Sequence, residues 1–283
     1  MTSTRERQQR AAARARLAQQ MAERREAARK RRQTQAAVGA GVALLLIAGG
    51  VFWAVTAFSG DDDGPPAAAA APEPTGEPVP GECVWNEVPP DQVTDQVVDV
   101  GLPPAGVAPQ SGTQVMTVAT SFGAVEVTMD LAQSPCTAAS FTHLAEQEFF
   151  DGTKCHRMFP GMLQCGDPTA KGDGYRETDG RGGPSYRFPD ENLPVAETPP
   201  YPAGVVAMAN SGPDTNGSQF FFIYEDVQLS PDYSVVGTVT SGMDVLAEAT
   251  EAGHDGAFDP SPGGGHPTND IVIETLRVSP AEA

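Results

Sequence analysis

Two short stretches hold the residue types that could do chemistry. In the first, Cys155, His156 and Arg157 are consecutive, with Gln164 and Cys165 a few residues on. Thiols and an imidazole offer metal or disulfide chemistry. A guanidinium offers a permanently charged hydrogen-bonding fork, and an amide can orient its neighbours. The second stretch, Met208–Tyr224, reads MANSGPDTNGSQFFFIY. A turn-rich loop becomes the apolar run Phe220-Phe221-Phe222-Ile223-Tyr224, entered through one amide side chain, Gln219. That glutamine either caps a buried strand or faces a ligand. A zinc set of Cys155, Cys165, His156 and His143 is disfavoured, because no Cys-x-x-Cys spacing supports it. Taken alone, Arg157 reads as a surface ion-pair arginine. His254 and His266 flank a Gly-rich loop and read as solvated.

The elements that must position these residues are mostly strands. Gln114–Asp130 alternates apolar and polar residues around Ser121-Phe122-Gly123, which predicts a hairpin. Ser134–Phe150 predicts a helix, with Ser134 as N-cap, Pro135 in its first turn and Phe141, Leu144, Ala145 and Phe149 on one face. KCHRMF and MLQCGD are strand-like runs around Pro160-Gly161, a turn pair. Residues 166–204 are Gly/Pro-rich loop. GVVAMAN, SQFFFIY, SVVGTVT and DIVIETLRV predict further strands, and GMDVLAEATEAG a second helix ended by Gly253. Many strands with two helices and no βαβ alternation argue against a parallel sheet and leave a closed antiparallel barrel or sandwich, mainly β.

Charge divides the 283-residue chain. Residues 1–35 hold eleven Lys/Arg against three acids, a net of +8, and the remaining seven basic and 34 acidic residues leave −27. Between the two lies Ala36–Phe58, 23 uncharged apolar residues. About 20 suffice for a helix across a bilayer. The 35-residue leader and the length of the run do not suit a cleaved signal peptide, whose apolar region is roughly 7–15 residues. Arg29-Lys30-Arg31-Arg32 on one side and Asp61-Asp62-Asp63 on the other place the N-terminus in the cytoplasm and residues 59–283 outside. The basic tail reads as a topology determinant touching lipid headgroups. It lacks the aromatic interleaving of a nucleic-acid binder, so no nucleic-acid partner is expected. Residues 59–112 read as a Pro/Ala/acid-rich tether and an extended arm, and 113–279 as one folded domain.

CHRMFPGMLQCGDP, GRGGPSYRFPDEN and MANSGPDTNGSQFF, in that order, with VVGTVTSGMDVL after them, resemble the signature blocks of the cyclophilins, which are peptidyl-prolyl cis-trans isomerases. The likeness covers Thr113 to about Val278. It implies a closed eight-stranded antiparallel barrel with two capping helices and the site on its outer face. Membrane-anchored extracellular forms with this Cys pattern resemble those of actinobacteria. The resemblance makes Arg157 the catalytic arginine and Gln164 the residue orienting it. Substrate would be held by Met162, Gly180, Ala209, Asn210, Ser211, Gln219, Phe221, Leu229 and Tyr233, with Phe221 sharing the face of Gln219 by strand alternation. Plain barrel core is the other reading for Met162, Phe221 and Leu229. Neither metal nor cofactor is implied, and the partners would be proline-containing polypeptides of exported or cell-envelope proteins. The rival reading is a peptide-binding module with slow or no turnover.

Several positions depart from the pattern. The Arg157–Gln164 segment is one residue short, Gly161 falls where the family has a phenylalanine, and Phe159 is the candidate to replace it. The family tryptophan falls on Gln228, which predicts weak cyclosporin binding, and the family histidine falls on Tyr233. Cys83, Cys136, Cys155 and Cys165 lie outside the predicted span, where thiols oxidise. Four cysteines allow three connectivities. A bridge between the runs carrying Cys155 and Cys165 is preferred, with Cys83 and Cys136 then tying the arm to the first helix.

Overall fold

The computed structural model describes residues 82–260 and 263–282. The predicted span 36–58, the basic tail and the tether up to 81 lie outside them. Among the described residues no helix is long and apolar enough to cross a membrane.

The arm carries two short strands, β1 (Asn86–Glu87) and β2 (Val97–Val98). The predicted hairpin is β3 (Thr113–Thr120) and β4 (Gly123–Asp130) in continuous antiparallel register. Its alternation is the cause: Met116, Val118, Val125, Val127 and Met129 are fully buried while their neighbours face outward. Next come α1 (Pro135–Glu146), β5 (Thr153–Lys154), β6 (Arg157–Phe159), β7 (Met162–Cys165), β8 (Gly183–Pro184) and β9 (Tyr186–Arg187). They are followed by β10 (Val205–Met208), β11 (Phe220–Ile223), β12 (Val235–Ser241), α2 (Met243–Thr250) and β13 (Val272–Val278).

One antiparallel sheet of nine strands dominates, in the order β5-β13-β3-β4-β12-β10-β11-β7-β6. The predicted closed eight-stranded barrel is therefore corrected to an open, curled sheet. Its two edge strands, β5 and β6, belong to one stretch of chain. At its middle, Cys155 N–H donates to Ile271 O and His156 N–H to Gln164 O, so the stretch leaves β13 and joins β7. The edges are joined by chain continuity and not by a ladder.

Three other readings are corrected. Ser134 makes no side-chain cap, because its hydroxyl donates to Val235 O across the fold. The first donors of α1 go instead to the Glu191 carboxylate, from Cys136 N–H at 3.3 Å and Thr137 N–H at 2.5 Å. That helix also ends at Glu146, four residues before Phe150, and Phe149 and Phe150 are buried from the turn that follows. The Gly/Pro-rich stretch 166–204 is not wholly loop: β9 pairs β1, and β8 pairs β2 in parallel.

Both disulfides join the cysteines preferred above, Cys155–Cys165 and Cys83–Cys136. Among the described residues no group of His, Cys, Asp and Glu could hold a metal ion.

Candidate active site

Strand register decides which side chains meet. Arg157 on β6 lies opposite Gln164 on β7, which lies opposite Phe221 on β11, which lies opposite Ala207 on β10. Residues in one cross-strand row share a face. The next row on that face is Phe159, Met162 and Ile223. The row between them, Met158, Leu163, Phe222 and Val206, faces the main core. The outer rows build a second, smaller apolar cluster of Met162, Tyr201, Ala207, Phe221 and Ile223, edged by Phe159, Leu229 and Tyr233.

Arg157 sits half-buried at the end of its row. Its guanidinium carbon lies 4.3 Å from the Phe159 ring centre and 5.8 Å from that of Phe258. One long hydrogen bond, 3.4 Å to Gly263 O, is its only side-chain bond among the described residues, and its buried Nε has no partner. It forms no ion pair among them. Burial pulls its pKa down, though a guanidinium stays charged at any working pH. The two amides beside it are bonded to each other, and that of Gln219 is fully committed. Gln164 Nε2 donates to Gln219 Oε1 at 2.9 Å, and Gln219 Nε2 donates to Gly180 O and Gly182 O at 2.9 and 2.8 Å.

Arg157, Gln164, Gly180, Ala209, Asn210, Ser211 and Gln219 line one cavity of about 450 Å³. Met162, Phe221, Leu229 and Tyr233 do not line it and belong to the adjoining apolar cluster. Phe221 is 2% and Met162 6% exposed, so they make a floor, with half-buried Leu229 and Tyr233 at its rim. Gln228 is exposed. Of the loop segment, Ala209 N–H is already donated to Gln219 O and Ser211 N–H to Thr215 Oγ1. Only the Asn210 N–H of the three has no partner among the described residues.

The short turn between β6 and β7 has a local cause. Gly161 has φ +86°, and a Cβ there would lie 2.6 Å from Val227 Cγ1 and 3.0 Å from Glu225 O. No side chain fits at that position. Phe159, one row from Arg157, carries the ring nearest the guanidinium.

Several neighbours were not legible beforehand. Tyr201 is fully buried, packs edge-on to Phe221 and Tyr233, and clasps the Tyr233 backbone, with its hydroxyl donating to Tyr233 O and accepting from Tyr233 N–H. It lay hidden in a loop composition, and its one signal was an aromatic between prolines. His266 is not solvated: it stacks on Tyr175 at 4.4 Å, abuts Phe258 and bonds Asp255. His254 is half-buried and its Nδ1 accepts from Gly256 N–H.

His156 lies beneath Gly180, where an added Cβ would meet His156 Cδ2 at 3.0 Å. Gln219 faces it, but with that amide committed elsewhere neither ring nitrogen has a well-formed bond. Burial depresses the His156 pKa to about 4, against the opposing pull of Asp167 and Asp179. In the unfolded chain the value is about 6.5. Above pH 6.5 the ring is neutral in both states. Below it the unfolded chain takes up a proton that the folded one refuses, so stability falls from pH 6.5 down to about 4 and then levels. Unfolding free energies of the full chain at pH 7 and pH 5, from denaturant titration, should differ by about 2 kcal/mol on this account. His156→Gln should remove that difference, and an unchanged slope would refute the assignment.

Comparisons with known proteins identify the family. The family model described as "Cyclophilin type peptidyl-prolyl cis-trans isomerase/CLD" matches residues 115–278. A "Probable peptidyl-prolyl cis-trans isomerase B" of Mycobacterium leprae is 41% identical over 192 residues, covering 62% of this chain and 61% of that one. Its namesake in Mycobacterium tuberculosis is 39% identical over 195 residues, covering 64% of this chain and 59% of that one. The chain thus matches about three fifths of the length of these curated relatives. A solved cyclophilin-type peptidyl-prolyl cis-trans isomerase of Cryptosporidium parvum superposes with a TM-score of 0.50 at 25% identity, over 60% of this chain and 99% of that one.

Proposed function

Since the chain belongs to the cyclophilin-type peptidyl-prolyl cis-trans isomerase family, we propose that residues 113–279 catalyse cis–trans exchange at X–Pro bonds of exported or cell-envelope proteins. The observation that carries this reading is the unpaired, half-buried guanidinium of Arg157 beside an apolar floor. Amide resonance sets a barrier of about 18–20 kcal/mol to rotation. In the twisted state that resonance is lost, and the prolyl nitrogen becomes pyramidal and gains a lone pair. A cation held near that nitrogen, where water is excluded, favours the twisted state over both planar ones. Phe159 beneath the guanidinium and the long bond to Gly263 O hold the charge, while Gln164, opposite Arg157 in the strand register, ties its amide to Gln219. The proline ring would rest on Phe221 and Met162 between Leu229 and Tyr233. Gln219 would hold the Gly180 side of the groove, and Asn210 would offer its free N–H to the peptide backbone.

Uncatalysed exchange takes about 10–100 s. Exchange NMR of an X–Pro peptide with catalytic amounts of the full chain should show far faster interconversion. Exchange at the uncatalysed rate would overturn the reading and leave a peptide-binding module.

The anchor is part of the proposal. A 23-residue apolar run flanked by Arg29–Arg32 and Asp61–Asp63 suits one span with the domain outside. Two disulfides suit an oxidising compartment. Protease added to intact cells should digest the domain and spare an N-terminal tag. A protected domain would refute this topology.

A further inference from the structure

From residue 36 onward the chain carries seven basic residues against 34 acids. Lys154, Arg176 and Arg277 each hold a carboxylate in an ion pair. Three of the other four, Arg157, Arg181 and Arg187, line the same cavity, and none forms an ion pair among the described residues. No carboxylate lines that cavity. An acidic domain therefore gathers its unpaired guanidiniums around one hollow.

Arg187 is built into place. Its Nη1 donates to Pro184 O and Tyr186 O at 3.0 and 2.8 Å. Its guanidinium lies between Gly183 and Gly217, where added Cβ atoms would come within 3.4 and 3.3 Å of Nη1. Neither glycine has a positive φ, and the guanidinium packs close against both. Burial alone lowers the Arg187 pKa, with no charged neighbour to offset it. A desolvated cation without a counter-charge is costly, and an anionic ligand would relieve that cost. Arg181 is exposed at the rim. Arg181 and Arg187 also line a second cavity, of about 590 Å³, with Glu87 and Asp95 of the arm, and Arg157 borders a smaller one with Asp179; none of these acids forms an ion pair with the three arginines.

We propose that the hollow walled by Arg157, Arg181 and Arg187 is a carboxylate subsite, which selects proline-containing segments bearing Asp or Glu within a few residues of the proline. The proposal rests on the isomerase reading for its substrate and deepens it into a specificity. Arg187 provides the fixed fork, and Arg181 is the mobile charge that closes on the acid. The negative field of the rest of the domain does not cancel this, because screening over about 8 Å at physiological salt leaves the local cations dominant.

Fluorescence anisotropy of the full chain with labelled single-proline peptides tests it without requiring turnover. Glu, Gln or Lys is placed in turn at each of the three positions on either side of the proline. At one position or more, Glu should bind about tenfold more tightly than Gln, with Lys weakest and the gap narrowing in high salt. Arg181→Gln should shrink the Glu-over-Gln ratio several-fold. Arg181→Glu should invert the order so that Lys leads, which loss of structure could not produce. Equal binding of all three side chains at every position would overturn the subsite and leave the isomerase reading intact. A Glu preference that survives both Arg181→Gln and Arg187→Gln would also overturn it. If instead no peptide is isomerised by the wild type, the isomerase reading falls, and the affinity ratios still decide the subsite.

Discussion

Arg157→Ala will lower kcat/KM for X–Pro peptides by about 10²–10³-fold, the usual effect of removing one donor aimed at developing charge. The fold should survive. Arg157 has one long bond, to Gly263 O, and no ion pair to lose among the described residues, and its cation–π contact with Phe159 is worth about 0.5–2 kcal/mol. Arg157→Lys separates charge from shape. It keeps a cation but loses the planar fork, so it should recover only a small part of the rate. The measurement is exchange NMR on one peptide with all three proteins, alongside urea midpoints to confirm folding. An alanine variant as fast as wild type would end the catalytic assignment. If wild type and variant bind peptide equally and neither accelerates exchange, the domain is a binding module.

The largest stability effect is expected where the arm is tied down. The Cys83–Cys136 bridge closes a separation of 53 residues, for which the loop-closure relation gives about 4 kcal/mol. Cys155–Cys165 closes only 10, which gives about 3 kcal/mol. The double variant Cys83→Ser/Cys136→Ser should therefore lose about 4 kcal/mol in denaturant unfolding, and Cys155→Ser/Cys165→Ser less. The first bridge also holds more than chain entropy. Next to it, Trp85 packs edge-on against Tyr186 and Phe188 at 5.6 Å each, and β1 pairs with β9. The β8–β9 segment carries Gly183 and Arg187 into the cavity wall. Releasing the arm should thus loosen substrate binding along with stability. A double variant with the wild-type midpoint would show that the arm contributes little to the folded domain.

Local pattern determined much of this protein. Alternation set the β3–β4 hairpin, because period-2 burial is written in adjacent residues, Met116 and Val118 against Val125 and Val127. The same alternation turned Phe221 to the outer face and left Phe220 and Phe222 in the core. Ordered sequence blocks picked out Arg157, Gln164 and Gln219; the sheet register sets the first two opposite each other and a hydrogen bond ties the third to Gln164. What only the tertiary structure decided involves partners far apart in the chain. Glu191 caps a helix 54 residues away in place of Ser134. Tyr201 clasps Tyr233, and Arg181 and Arg187 join Arg157 around a hollow with no acid in it. The open edge between β5 and β6 depends on where Cys155 N–H goes, to Ile271 O 116 residues on, while His156 N–H goes to nearby Gln164 O. Side-chain periodicity reports which face a residue shows. It carries no information on what meets that face from another part of the chain, and at this site that meeting sets the charge.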